Sequence, residues 1–506
     1  MSWRDLSFAE PVRYAPEHAE ETRGLLELGA AGPTPSAVLV FHGMGQQVRF
    51  QTLSDLASAI LDEAESRGGK ATDLHIGLAP KASAPGQFLA RAEIAWTDKA
   101  GERHAAHVYE AYWAPLTEGR VGYWDTIQFL LEGGWNGLRC IFPSMKWSFN
   151  RWVFGEFAAM PITKGTPMAL ILTILILLFT VGVIAMAGAA VADVTKNIHS
   201  PNPLGAVKAV LDTIYGQFAA VWNGLVALWA WVTRSHVAEA SRMAMPNTKA
   251  HGFWWQYLLA LVAWGVLIGL VFVIRYFLIN YVGAVAAYLA PYKDSKFEDL
   301  RGSIQAVGLD AARLVFYGSA QTPGAAKATA EVESASWVPN YQNIVLVAHS
   351  LGTVLAYDTL NSIFNMENTS NPPNVPNDAV ARTRALITFG SPLDKAAFIF
   401  RAQFNRDTKT GRIREMLACA IQPLITDYKF RFDPAATPPG PRWINLWSPL
   451  DIISGDLVYF DHPKIAPSPE SMVTNIVDPA CTIPLAAHTQ YWSGKLLRTT
   501  VYDQLV

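Results

Sequence analysis

Residues 343–358 read NIVLVAHSLGTVLAYD and put Ser350 where a strand turns into a helix. Ile344 to Val347 form a continuous apolar run, the pattern of a buried parallel strand. The amphipathic stretch TVLAYDTL follows. A serine at the tip of so tight a turn needs small neighbours two residues away on each side, and here they are Ala348 and Gly352. The consensus for such a nucleophile elbow is G-x-S-x-G, and this chain departs from it by one methyl group, Ala for the first Gly. The same pentapeptide also suits a plain polar turn between a core strand and a core helix, so the partners decide. An activated serine needs a base to take its proton, an acid to orient that base, and two N–H donors for the developing oxyanion.

Further segments bear on those partners. VLVFHGMG (38–45) is a second strand-like run that ends in a glycine-rich loop. ALITFGSPLD (385–394) and INLWSPLDIISG (444–455) each end a strand-like run in Ser-Pro-Leu-Asp. AAHTQYW (486–492) places a histidine late in the chain. With VLVAHSLG (345–352) these make five pieces. In this order they resemble the α/β-hydrolase superfamily, of the lipase and esterase type. The likeness covers both ends of the chain and leaves out the apolar block between 165 and 290.

The resemblance implies a mostly parallel α/β sheet flanked by helices, and the block that it leaves out is expected to be an inserted helical transmembrane or interfacial segment. It implies roles as follows. Ser350 resembles the nucleophile, and the N–H of Leu351 one oxyanion donor. His42-Gly43 resembles the oxyanion loop, with the N–H of Met44 as second donor; Gly43 and Gly45 let the loop approach closely, and His42 shapes it. The acid follows the serine and the base comes last. Asp451, in the turn after INLW, is the expected acid, with Asp394 one strand earlier as its rival and Asp456 and Asp461 as remoter options. His488, 37 residues after Asp451, is the expected base and His462 the alternative. His349 lies inside the elbow and is expected to pack or hydrogen-bond locally. No cofactor or metal is implied. His104 and His107 are expected as surface or strand-edge histidines without acidic or cysteine partners rather than as a metal pair, and no CxxC, HExxH or phosphate-binding glycine loop is present.

Other elements must position these residues. A helix is expected from the HGMGQQ loop to about residue 67. RAEIAWTD (91–98) and HVYEAYWAP (107–115) suggest a hairpin around Gly101. Residues 291–318 have the pattern of an amphipathic helix, followed by a loose linker to about 338. TQYWSGKLL reads as a helix after the His488 loop, NPPNVPN (371–377) and ATPPGP (436–441) read as loops, and 396–435 has room for a lid.

Composition adds a second theme. Charged residues make up 16% and hydrophobic residues 51% of the 506, with 17 tryptophans, which leans towards a membrane protein with soluble parts. A net charge of -2 gives no electrostatic case for nucleic acid. Cys140, Cys419 and Cys481 are far apart and read as unpaired thiols of a reducing compartment. The first twenty residues carry acids and prolines and no apolar core of a signal peptide.

From Gly165 to Ala192 there are 28 uncharged residues, enough to cross a bilayer core of about 30 Å. Gly252 to Ile274 gives 23 more, opened by Trp254 and Trp255, which suit an interfacial belt. Between them, 213–233 is uncharged but interrupted by Gln217 and Asn223. Residues 139–157 interleave Arg139, Lys146 and Arg151 with six aromatic rings, as an interfacial segment does. If the strands at 36–42 and 343–349 share one sheet, the block between them crosses the membrane an even number of times. Two spans are therefore expected, near 167–192 and 252–274, with 213–233 interfacial or re-entrant. The implied domains are 1–135 (N-terminal hydrolase part), 136–292 (membrane-associated insertion) and 293–506 (C-terminal hydrolase part with nucleophile, acid and base). The expected setting is an integral inner membrane of bacterial type, with the catalytic domain on the cytoplasmic side.

Taken together, these readings imply a membrane-anchored serine esterase or lipase acting on a carboxylic ester, with lipid-like or acyl-bearing substrate drawn from the bilayer. A homo-oligomer is compatible with them. An acyltransferase or thioesterase would use the same triad. A non-catalytic membrane scaffold on the same fold is the reading from a different class.

Overall fold

The computed structural model describes residues 34–44, 48–80, 88–122, 124–129, 283–289, 295–317, 341–368, 378–396, 440–451, 453–457, 473–483 and 486–506, with isolated positions between them. Packing divides the chain into two compact units, Met1–Leu170 with Asn280–Val506, and Ile171–Ile279.

The larger unit is built on an eight-stranded sheet. Its strands are β1 (Ser36–Phe41), β2 (Lys70–Pro80), β3 (Phe88–Thr97), β4 (Arg103–Ala111), β5 (Ile344–His349), β6 (Thr383–Phe389), β7 (Arg442–Trp447) and β8 (Val473–Val477). They lie in the order β2-β3-β4-β1-β5-β6-β7-β8. From β4 to β8 every pairing is parallel, and the two pairings at one edge, β2 with β3 and β3 with β4, are antiparallel. β1 pairs directly with β5, Val38 opposite Val345 and Val40 opposite Val347. The strands before and after the apolar block thus share one sheet.

Strand alternation explains the layers. Ala37, Leu39 and Phe41 of β1, with Ile344, Leu346 and Ala348 of β5, face one side. There they pack against the helices α2 (Gly283–Leu289), α3 (Ser295–Tyr317) and α4 (Leu351–Asn368). Val38, Val40, Val345 and Val347 face the other side, with Leu53, Leu56 and Ile60 of α1 (Gln51–Ser66) and Leu497 and Val501 of a C-terminal helix, Lys495–Tyr502. Burying each such Val, Leu or Ile contributes about 1.5–3 kcal/mol. Because both faces are covered, the central strands read as unbroken apolar runs in the sequence.

The expected hairpin is present as β3 and β4, with Arg91 opposite Tyr109 and the turn at Gly101 in a left-handed conformation. Its second strand starts four residues earlier than the apolar pattern suggests, and Trp113 lies beyond it, before a 3-10 turn at Ala114–Leu116. The edge strands β2 and β8 were not expected. α2, inside the segment expected to be membrane-associated, is buried with the sheet unit: Tyr288 donates to Asp358 of α4 at 2.6 Å.

Among the described residues no helix is long and apolar enough to cross a membrane. The expected span at 167–192 lies outside the described residues, and only isolated positions of 213–233 and 252–274 are described. Those in 252–274 are helical and exposed, among them Leu258, Val262, Val266, Phe272 and Val273.

Candidate active site

Parallel strands collect their carboxyl ends at one edge, and the turns that leave β5, β7 and β8 meet there. The turn after β5 carries Ser350, buried, with a left-handed backbone at φ 53°. A non-glycine residue there costs of order 1–3 kcal/mol and persists only where its surroundings hold it. The Ser350 N–H is fixed on the Phe389 carbonyl of β6 at 3.1 Å, and its carbonyl accepts from Thr353 N–H and hydroxyl at 2.9 and 2.7 Å. Gly352 answers the close approach of α4 to β1, since a Cβ there would collide with the carbonyls of His42 and Phe41. Ala348, on the other side of the elbow, fits fully buried.

The hydroxyl faces a histidine. Ser350 Oγ lies 2.7 Å from His488 Nε2, and His488 Nδ1 lies 2.9 Å from Asp451 Oδ2. A carboxylate only accepts, so Nδ1 carries the hydrogen and Nε2 is left to accept from the serine. His488 sits in a short helix, Ala487–Gln490, not in the loop expected from the sequence. A 3-10 turn at Tyr491–Ser493 follows, and Gly494, with an extended backbone, separates it from the helix Lys495–Tyr502.

Asp451 is held from three sides. Ile453 N–H donates to Oδ1 at 2.9 Å, and Tyr491 hydroxyl donates to Oδ2 at 3.0 Å. Burial alone would push this carboxyl up. The hydrogen bond and charge of His488, with the Ile453 N–H and the Ser454 hydroxyl, outweigh burial and hold it well below the ordinary carboxylate range.

The rival acid Asp394 is buried in the turn after β6, and His488 Nδ1 is engaged by Asp451. The two Ser-Pro-Leu-Asp turns share a construction, with Ser391 Oγ accepting from Leu393 N–H at 3.3 Å and Ser448 Oγ from Leu450 N–H at 3.2 Å. Lys395, next to Asp394, donates to the carbonyls of Ile453 and Ser454 at 2.8 and 2.9 Å and so ties one turn to the other. Burial lowers its pKa to about 8, against the pull of Asp451, Asp394 and Asp456.

His42 closes β1. Trp113 N–H donates to its Nε2 at 3.0 Å, which leaves Nδ1–H to donate to the Gly43 carbonyl at 2.8 Å. Its ring stacks on Trp113 at 4.9 Å, and burial lowers its pKa to about 4, so it stays neutral. Met44 is buried at the end of this loop. Leu351 opens α4, where a first-turn N–H has no acceptor within the helix. Gly45, Asp461 and His462 lie outside the described residues.

The sequence reading missed Tyr491 and Lys395 at this site. Tyr491 had one local signal, its place three residues after His488, which puts both on one side of a helical turn. Away from the site, the hairpin turn corrects an expectation. His104 does have acidic neighbours, Asp98 and Glu102, with ligand atoms within 4.8 Å of one another, because the turn folds them together. His107 bonds Tyr341 hydroxyl at 2.7 Å instead.

No known protein-family model matches the chain, and no curated protein or solved structure matches it either.

Proposed function

We propose that this chain is a membrane-anchored serine hydrolase that cleaves carboxylic esters of lipid-like character. The observation that carries the reading is the continuous line Ser350–His488–Asp451, with bonds of 2.7 and 2.9 Å, at the carboxyl edge of the sheet. In the proposed reaction Ser350 Oγ attacks the acyl carbon as its proton passes to His488 Nε2. The N–H groups of Met44 and Leu351 receive the oxyanion. The ester C–O bond breaks, and the leaving alcohol takes the proton from His488. A water then attacks the acyl-enzyme, with His488 again as base, and releases the acid. Asp451 stays ionised and holds the imidazole in the tautomer the reaction needs. Each oxyanion donor of this kind contributes about 3–4 kcal/mol to the transition state.

The uncharged runs at 165–192 and 252–274 support anchoring in a bilayer, and anchoring favours an acyl-bearing substrate concentrated there. The test is labelling of the membrane fraction with a fluorophosphonate, using wild type, Ser350→Ala and His488→Ala. Labelling of wild type alone is the expected result. A folded wild type left unlabelled, with detergent and lipid present, would return the chain to the scaffold reading. Product analysis with added alcohol or thiol acceptors separates hydrolase from acyltransferase.

A further inference from the structure

The residue before the nucleophile makes a contact that the triad does not require. His349 Nε2 lies 2.8 Å from the backbone carbonyl of His488. A carbonyl only accepts, so Nε2 carries the hydrogen and donates it. The ring is buried and fits a slot with several walls. Phe389 stacks on it at 5.0 Å, the ring of Trp492 meets it edge-on at 5.7 Å, and the His488 ring lies 4.9 Å away. Two glycines make the remaining room. A Cβ on Gly43 would stand 2.8 Å from His349 Nδ1, and one on Gly390 would stand 3.2 Å from His349 Nε2 and 3.2 Å from His488 Cε1.

The slot therefore touches all three moving parts of the proposed reaction. Gly43 belongs to the oxyanion loop, Ser350 is the next residue along the chain, and His488 is the base. Burial and the repulsion of His488 lower the His349 pKa to about 3, so it remains a neutral donor while His488 gains and loses its proton.

We propose that His349 is a positioning residue for the base: its Nε2–H holds the His488 backbone at a fixed distance from the elbow that carries Ser350, so that Nε2 of His488 meets the serine hydroxyl. His488 is then fixed at two points, by Asp451 at its ring and by His349 at its backbone. This inference rests on the serine-hydrolase reading for its catalytic meaning, but its geometry can be tested separately.

The experiment uses the full chain in detergent with three variants. His349→Phe keeps a ring and removes the donor. His349→Gln places an N–H donor near the position of Nε2. Ser350→Ala is the blank. Two quantities are read: the maximal rate and half-saturating concentration of inactivation by a fluorophosphonate, and hydrogen exchange of segment 486–493. In that inactivation Ser350 Oγ bonds to phosphorus, fluoride leaves, and His488 takes the serine proton. Misplacing a base costs rate and leaves reagent binding alone, so the Phe variant should lose about tenfold or more in maximal rate at unchanged half-saturation. Exchange in 486–493 should rise, since that backbone loses an anchor. Gln should bring both back to within about threefold of wild type.

A Phe variant that reacts and exchanges like wild type overturns the inference. So does a folded Gln variant as slow as Phe; this arm also decides the matter if the Phe variant does not fold. A wild type that never labels, while the Phe variant still loosens 486–493, leaves the anchor standing and removes the hydrolase reading.

Discussion

Tyr491 and His488 share one carboxylate oxygen: the Tyr491 hydroxyl and the His488 Nδ1–H both donate to Asp451 Oδ2, at 3.0 and 2.9 Å. The tyrosine follows His488 by one turn, so one segment delivers both donors to the Asp451 carboxylate. Ser454 Oγ lies 3.1 Å from the same hydroxyl and completes the cluster. A hydrogen bond to a charged acceptor is worth about 1.5–3 kcal/mol, and here it is divided between orienting the acid and keeping it ionised. Tyr491→Phe should lower maximal turnover about tenfold with little change in half-saturation. A variant that turns over at the wild-type rate would remove Tyr491 from the orienting set.

The two Ser-Pro-Leu-Asp turns give a sharper contrast. Asp451→Asn keeps the size of the acid but allows the wrong histidine tautomer, and a loss of about a thousandfold to ten-thousandfold is expected. Asp394→Asn leaves the His488–Asp451 bond in place and should retain turnover within about tenfold. Steady-state rates of the two purified variants, each checked for folding by circular dichroism, decide it. The reverse ranking would move the acid to Asp394.

Lys395 supplies a pH test of stability. The group gives up its proton at about 8 in the folded chain against 10.5 ordinarily, because burial outweighs the attraction of Asp451, Asp394 and Asp456. Between these values the unfolded chain binds more protons, so the free energy of unfolding rises with pH across that window. Below pH 8 both states are charged and the burial cost is fully present. The total relief is on the order of 3–4 kcal/mol. Urea unfolding of wild type and Lys395→Met at pH 7.5 and pH 10 should show wild type gaining relative to the variant. Parallel pH dependences would sink this account of Lys395.

What could be read from the sequence was what is locally written. The apolar runs of β1, β5 and β6, the small-residue elbow around Ser350 and the hairpin around Gly101 are each set by neighbours a few residues apart. Asp451 and His488, which the resemblance singled out by chain order and by the Ser-Pro-Leu-Asp turn, do meet in the structure. Edge strand β2, KATDLHIGLAP, was not. It has glycine and proline within it, a register shift between Ala71 and Asp73, and only β3 to pair with, so its strand state comes from tertiary contact. The contacts of His349 and Lys395 were hidden for the same reason, since they join residues 139, 58 and 59 positions apart.

The sheet itself constrains the membrane topology. β1 precedes the long uncharged runs and β5 follows them, yet Val38 sits opposite Val345 in one ladder. A folded sheet cannot be threaded by a bilayer, so any crossings between them must be even in number. The chain should resist extraction with alkaline carbonate, as an integral protein does. In a background where Cys140, Cys419 and Cys481 are replaced, single cysteines at exposed Lys99 and exposed Lys495 should report the same side. An impermeant maleimide applied to spheroplasts and to inverted vesicles should label both positions in one preparation and neither in the other. If the sheet unit lies in the cytoplasm, as proposed, the inverted vesicles are the labelled ones. Opposite labelling of the two positions would mean an odd number of crossings and could not be reconciled with the pairing of β1 and β5.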